Sequence, residues 1–188
     1  MTKSLSDILD EEIGESLSVE EFGISSYLDT GIPELNKAVS GDHFGGFPGG
    51  RILEIFGPAS CGKTFLATMM MIAAQKEGGI AGFSDHERSF EPGLGKTLGL
   101  NLHKDVFRLY RPRTFEESIE IAVAFCQKVR DAEIIPFEAP LIWVFDSVAS
   151  MIPHSKLFDD KGNRRPVGSY KMNDSLSLAK SCSQSYPQ

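Results

Sequence analysis

The sequence predicts an α/β fold in which a mainly parallel sheet is covered by helices on both faces. Short β-prone segments alternate with helical ones along residues 51–145, which is typical of parallel strands joined by right-handed crossovers. One of these strands, 141–145, is apolar at every position, as in parallel sheets that are buried on both sides. Residues 57–64 fit the phosphate-binding pattern G-x-x-x-x-G-K-[ST] between a strand-like and a helix-like segment. These observations predict a nucleotide-binding α/β core.

The predicted elements follow in order along the chain. A short helix begins at 30–35, where Pro33 suits the first turn because its missing N–H costs nothing there. The predicted strands are Arg51–Phe56, Ile80–Ser84, Val106–Tyr110 and Leu141–Phe145. The predicted helices are Lys63–Lys76, Pro92–Leu98, Phe115–Arg130 and Met172–Ser183. Thr114 is the expected N-cap of the third of these helices.

Composition and charge divide the chain into two parts. Eight acidic residues and one lysine in residues 1–29 account for the whole net charge of −7. We therefore predict an acidic N-terminal arm at 1–29, either partly frayed or docked on a neighbouring subunit, and a core at 30–188. No segment approaches the roughly 20 apolar residues of a membrane span, and the N-terminus does not resemble a signal peptide. Three cysteines without metal-ligand spacing favour a reducing cytoplasm.

The phosphate loop is the most specific chemical signal in the sequence. Its glycines let successive backbone N–H groups face one anion, and the helix that follows adds the positive end of its dipole. Lys63 would reach the terminal phosphates, and the Thr64 hydroxyl would bind Mg²⁺. This pattern is typical of P-loop NTPases and predicts that magnesium-bound ATP contacts Gly57, Pro58, Ala59, Ser60, Cys61, Gly62, Lys63 and Thr64. The alternative is a Gly-rich turn with an exposed lysine.

Two carboxylates follow predicted strands and are candidates for the chemistry. Asp146 ends the last apolar strand, where it would hold Mg²⁺ opposite Thr64; the alternative is a turn or N-cap residue. Glu87 follows the second strand and is the candidate general base that orients water for attack on the γ-phosphate. Asp85, two residues earlier, is the competing base. His86 is interpreted as a supporting or surface residue.

A basic, polar tract follows Pro153. Residues 154–171 are predicted to form a flexible loop, and its positive charges could contact DNA phosphates. The candidate DNA-binding residues are Lys156, Lys161, Arg164, Arg165 and Lys171. The alternative is a basic loop that is only solvated.

Several segments resemble the RecA recombinase family, and they occur in the same order along the chain. Residues 45–64 resemble the family's signature around its phosphate loop, 83–92 resemble the segment that carries its catalytic glutamate, and 144–150 resemble its metal-binding strand. The resemblance covers about residues 28–180. It implies a DNA-dependent ATPase that polymerises on single-stranded DNA, places ATP between subunits and promotes homologous pairing. It assigns catalysis to Glu87 with Lys63, and DNA contact to about 154–171.

The sequence also departs from the family pattern. The resemblance assigns adenine contact to Glu91, but the family's aromatic position beside adenine is occupied by Leu94. The family continues with a further strand, a second DNA-binding loop and a glutamine that senses the γ-phosphate. We therefore expect a core that is incomplete at its C-terminal end. Two other interpretations remain: a nucleotide-dependent assembly protein with little or no hydrolysis, and a RecA-like ATPase with another duty, such as a helicase or clock-type regulator.

Overall fold

The computed structural model describes residues 26–159 and 161–165, together with positions 4, 11, 23 and 24. The strands are β1 (Tyr27–Leu28), β2 (Phe47–Pro48), β3 (Ile80–Asp85), β4 (Phe107–Tyr110) and β5 (Leu141–Asp146). The helices are α1 (Pro33–Ser40), α2 (Lys63–Lys76), α3 (Pro92–Leu98), α4 (Phe115–Asp131) and α5 (His154–Leu157), with a 3₁₀ turn at Val148–Ser150. Most of the predicted arm and the predicted helix at 172–183 lie outside the described residues.

Local signals in the sequence set the ends of the helices. Pro33 occupies the first turn of α1, and Gly41 ends that helix in the left-handed conformation at φ 83°. The Thr114 side chain caps α4 by accepting a hydrogen bond of 3.1 Å from the N–H of Glu117. The positions of Pro33 and Thr114 confirm the predictions for the starts of these two helices. β4 begins one residue later than predicted because Val106 lies in a turn, where its N–H donates to His103.

The central sheet is parallel and has the strand order β4–β3–β5 within the described residues. β3 lies in the middle and pairs with β5 in a register that places Ile80 opposite Leu141 and Asp85 opposite Asp146. Both strands therefore end at the same edge, and the residues that follow them meet there. This arrangement confirms the predicted α/β class.

Helices cover the two faces of the sheet. Met71 and Ile72 of α2 pack with Phe83 of β3 in the main apolar cluster, against which Ile142 and Val144 of β5 also pack. On the opposite face, the Trp143 ring lies against Phe125 of α4, with ring centroids 5.1 Å apart. A Cβ atom at Gly82 would overlap the Trp143 ring, so glycine is required at this close approach.

The predicted strand at 51–56 is wrong. These residues precede the phosphate loop but pair with no strand in the part of the chain that the structure describes. Ile52 and Phe56 are 86% and 85% exposed. β propensity forms a strand only where a neighbouring strand receives its backbone hydrogen bonds, and this segment has no such neighbour among the described residues.

The chain enters the core through a small antiparallel pair, β1 with β2, next to α1. Asn36 is buried there, and its side chain holds the segment together. Its Oδ1 atom accepts hydrogen bonds from the N–H and the hydroxyl of Thr30. Its Nδ2 atom donates to the Asp29 carboxylate and to the His43 carbonyl. Among the described residues, no helix is both long and apolar enough to cross a lipid bilayer.

Candidate nucleotide-binding site

The phosphate loop connects the exposed segment 51–57 to the start of α2. Gly62 is the N-cap of α2 with φ 95°, and Ser60 also has a positive φ of 61°. Glycine adopts this left-handed conformation at no steric cost, which explains its place in the motif. The first backbone bond of the helix runs from Leu66 to Gly62, so the amides before it have no intrahelical acceptor. A helix start of this kind favours an anion.

Lys63 folds back over the loop. Its Nζ atom donates to the carbonyl oxygens of Gly57, at 3.1 Å, and Pro58, at 2.8 Å. The ammonium group is therefore held above the loop by neutral acceptors. Phosphate oxygens, which are charged, form stronger hydrogen bonds with an ammonium group than these carbonyls do. The geometry suits exchange of the carbonyls for an incoming phosphate.

Thr64 and Asp146 are brought together across 82 positions of the sequence. The Thr64 hydroxyl donates to Oδ2 of Asp146 at 2.8 Å. Thr64 lies in the first turn of α2 and Asp146 at the end of β5, so the packing of α2 on the sheet creates this pair. The structure thus places the two sequence-predicted magnesium ligands in direct contact.

Glu87 lies at the same sheet edge, directly after β3. The backbone N–H groups of His86 and Glu87 donate to the Asp146 carbonyl, at 2.8 Å and 3.3 Å. The Glu87 carboxylate accepts a hydrogen bond from the Ser147 hydroxyl, and the Ser150 hydroxyl lies 3.3 Å from the same oxygen. Two hydroxyl groups therefore orient the predicted general base beside the predicted metal ligand.

Asp85, the competing general base, is engaged in other contacts. It is fully buried, and its two oxygens accept from the Ser89 N–H at 3.0 Å and from Arg111 Nε at 3.2 Å. These contacts hold the turn after β3 and neutralise the buried carboxylate. A fully buried carboxylate with both oxygens engaged has no open face for a water molecule, so the geometry favours Glu87.

The other residues between β3 and α3 that sequence analysis singled out have distinct environments. His86 Nε2 lies 3.0 Å from the hydroxyl of the buried Ser118, and burial lowers the pKa of His86, with the Arg88 charge lowering it further. His86 is therefore neutral near pH 7. Glu91 is exposed at the start of α3, and Leu94 is 51% exposed on that helix. The side chain of Glu91 is free of any capping bond to α3.

The predicted DNA-binding residues do not share one environment. Arg165 donates from Nε to the Phe158 carbonyl at 2.9 Å and so helps to fold the tract. Lys156 is half-buried, whereas Lys161 and Arg164 are exposed. Lys171 lies outside the described residues. Where described, the tract consists of α5 and a tight turn in which Asp159 accepts from three nitrogen atoms of Lys161 and Asn163.

The side chains at the sheet edge fit a magnesium-bound triphosphate. Thr64 and Asp146 offer a hydroxyl and a carboxylate oxygen, the hard donors that Mg²⁺ prefers. In the described part of the chain, no group of three or more His, Cys, Asp and Glu side chains could hold a metal ion by itself. This pair matches a Mg²⁺ ion that takes its other ligands from water and phosphate oxygens.

Sequence reasoning missed several residues around this edge. Ser147 and Ser150 contact Glu87, while Arg88 and Arg113 line a cavity beside it. Arg88 follows β3 and Arg113 follows β4, which are neighbouring parallel strands. The rule that brought Glu87 and Asp146 together also applies to these two arginines and could have identified them.

Comparisons with known proteins show the family of the chain. A family model for the RecA N-terminal domain matches residues 16–180. Protein RecA of Leptospira biflexa is 35% identical over 155 residues, or 77% of this chain and 37% of that relative. Protein RecA of Clostridioides difficile is 37% identical over 152 residues, or 81% of this chain and 38% of that relative. The chain thus spans well under half the length of these relatives. Because the family model matches most of its length, the chain belongs to the RecA family.

Proposed function

We propose that the chain is an ATP-binding core of a DNA-dependent ATPase that acts in homologous recombination and DNA repair. It binds ATP with Mg²⁺, binds single-stranded DNA and self-associates into a filament or ring with ATP at the subunit interface. We place it in the cytoplasm, in keeping with the free, exposed thiol of Cys61 in the phosphate loop.

One observation carries the proposal: the contact between Thr64 and Asp146. It joins the phosphate loop to the carboxyl edge of the sheet, where ligands of open α/β sheets bind. Glu87 lies at the same edge, bonded through its backbone to Asp146. The predicted phosphate loop, metal ligands and general base therefore lie at one edge of the sheet, which supports the proposal, and membership of the RecA family supports the assignment to ATP.

Each side chain has a role that follows from its contacts. Lys63 neutralises charge on the terminal phosphates once it leaves the loop carbonyls. Thr64 and Asp146 hold the Mg²⁺ ion, which supplies charge stabilisation to the transferring phosphoryl group. Glu87, oriented by Ser147 and Ser150, positions a water molecule and accepts its proton. The exposed apolar residues Ile52 and Phe56, next to the loop, support an interface with a second subunit.

The test of nucleotide binding is Lys63→Ala. Because the substitution removes the ammonium group that contacts the phosphates, we expect it to abolish binding of labelled ATP in the presence of Mg²⁺, measured by equilibrium dialysis. Lys104→Ala removes the same charge from an exposed turn and is the control. Equal affinity of the Lys63 variant and the parent would refute the role of the phosphate loop.

A second candidate is an assembly protein that binds ATP and hardly hydrolyses it. The segment 51–57 favours it, because it belongs to no strand among the described residues, and a phosphate loop without a supporting strand positions the γ-phosphate less rigidly. Glu87→Gln separates the candidates. If Glu87 is the base, phosphate release falls about 100- to 10,000-fold while ATP affinity is retained. A parent that binds ATP without measurable turnover identifies the assembly protein, and unchanged turnover in the variant moves the base elsewhere.

A further inference from the structure

A cavity of about 460 Å³ lies beside the candidate nucleotide site. None of the predicted nucleotide or metal ligands lines it. It opens between the turn after β3, the loop after β4 and the start of the basic tract. We call it the arginine cavity, and define it by His86, Arg88, Arg113, Ser150, Phe158 and Arg164.

Three arginines give the lining of the cavity its positive charge. In the described ranges, the guanidinium groups of Arg113 and Arg164 have no hydrogen bond or ion pair, and that of Arg88 makes one long bond of 3.4 Å to the Arg111 carbonyl. On α4, the Glu117 carboxylate accepts the backbone N–H of Arg113 at 2.6 Å. Three arginines that line one cavity, and that form no ion pair among the described residues, favour a ligand that carries negative charge.

Part of the cavity lining is apolar. Ile152, Leu157 and Phe158 contribute to its lining, and all three belong to the segment after the 3₁₀ turn. A free inorganic anion would make no use of this wall. A nucleotide unit fits both kinds of side chain, because its phosphate would meet the arginines and its base would pack on the apolar side chains.

We propose that the arginine cavity binds one phosphodiester group and its adjoining base in single-stranded DNA. This inference rests on the DNA binding in the proposed function and extends the DNA contact to Arg88 and Arg113, well outside 154–171. The guanidinium groups bind the phosphate, and Phe158 packs against the base.

The cavity also connects DNA to the general base. Ser150 lines the cavity, and its hydroxyl lies 3.3 Å from the Glu87 carboxylate. Arg88 directly follows Glu87 in the chain. A strand held in the cavity is therefore separated from the general base by a single side chain, which gives a short route by which DNA affects hydrolysis.

The first experiment measures binding of a fluorescein-labelled oligothymidylate to the full chain by anisotropy at several salt concentrations. The variant is Arg88→Asn with Arg113→Ala, and asparagine is chosen because Arg88 has φ 61°, which asparagine tolerates. We expect the slope of log K against log salt to fall by about 0.7 for each phosphate contact removed. Lys104→Asn with Arg108→Ala removes the same charge outside the cavity and should keep the parental slope.

A second arm replaces the oligothymidylate by an abasic strand of equal length. The parent should bind the strand with bases about five- to 100-fold more tightly, which corresponds to stacking of one base. Phe158→Ala should reduce that ratio without changing the salt slope. A parent that binds both strands equally contradicts the base-binding half of the proposal.

The outcomes separate this inference from the proposed function. A parent that binds labelled ATP but no oligonucleotide overturns both the DNA-binding proposal and the cavity. A parent that binds the oligonucleotide with the same salt slope as the Arg88 and Arg113 variant overturns the cavity alone. ATP affinity checks the fold of the double variant, and Arg113→Gln alone replaces it if that affinity is lost.

Discussion

Two apolar segments of this chain, 51–56 and β5, have similar sequences and different structures. Both contain isoleucine, leucine and phenylalanine in a run of six. β5 pairs along its whole length with β3, whereas 51–56 lies mostly exposed before the phosphate loop and pairs with no strand in the described ranges. β propensity alone therefore does not form a strand, because a partner strand decides whether the segment joins a sheet.

The same division runs through the candidate site. Asp146 ends β5 and Glu87 follows β3, and backbone hydrogen bonds join the ends of these paired strands. Gly57 and the rest of the phosphate loop follow the exposed segment 51–56. The bond from Thr64 to Asp146 joins the two regions. Variants that act on one region and spare the other therefore test how independent they are.

The largest expected effect comes from comparing the same replacement, phenylalanine by alanine, in the paired strands and in the segment 51–56. Phe83→Ala leaves a cavity in the core, because the Phe83 side chain is 0% exposed and its ring centroid lies 4.7 Å from that of Phe90. We expect the free energy of unfolding to fall by about 3–5 kcal/mol. Phe56→Ala, at a residue that is 85% exposed, should change it by about 0.5 kcal/mol or less.

Urea unfolding followed by far-UV circular dichroism measures both variants. A Phe56 variant that loses as much stability as the Phe83 variant would show that 51–56 is packed in solution. That result would erase the distinction between the two regions.

The next effect concerns the contact that joins them. Asp146→Asn keeps the shape of the side chain but removes its charge, so its interactions with Thr64 and Mg²⁺ weaken. We expect ATP affinity in the presence of Mg²⁺ to fall about 10- to 100-fold, as for a lost hydrogen bond to a charged group. Asp131→Asn, at the exposed end of α4, is the control. An unchanged dependence on Mg²⁺ would remove Asp146 from the metal site.

The smallest effect is a dependence on pH in the entry segment. Hydrogen bonds from Asn36, and then from the Gly31 N–H, lower the pKa of Asp29 below its ordinary value of 3.8. A lowered pKa stabilises the fold above that ordinary value, and the contribution is lost as the pH falls through the folded-state pKa. Asp29→Asn should therefore reduce the drop in melting temperature between pH 7 and pH 3. An identical drop in variant and parent would contradict this.

Local signals made most of the helical structure predictable. Pro33 at the start of α1, Thr114 before α4 and the Gly-Lys-Thr that opens α2 all act through nearby backbone groups, so they need no knowledge of the rest of the fold. The convergence of Glu87 and Asp146 was also predictable, because parallel strands end at one edge. It needed only the order of strands, and the register confirms it.

Contacts between distant segments were not predictable in the same way. The strand at 51–56 depended on a partner that local sequence does not reveal. The hydrogen bond from Arg165 Nε to the Phe158 carbonyl, which helps to fold the basic tract, was not predicted from the sequence. Asp85 resembled a second base until its pairing with Arg111 became visible. Each of these outcomes depends on which groups meet in space, and residue type alone leaves that open.

Trp143 gives the molecule a built-in optical signal. It is the chain's single tryptophan, its ring stacks on Tyr110 at 5.7 Å, and its indole N–H donates to Ser84 on the neighbouring strand. Intrinsic fluorescence from this indole therefore monitors the docking of β5 on β3 without any attached dye. Since Asp146 ends the same strand, the emission spectrum is a direct way to watch whether nucleotide alters the sheet.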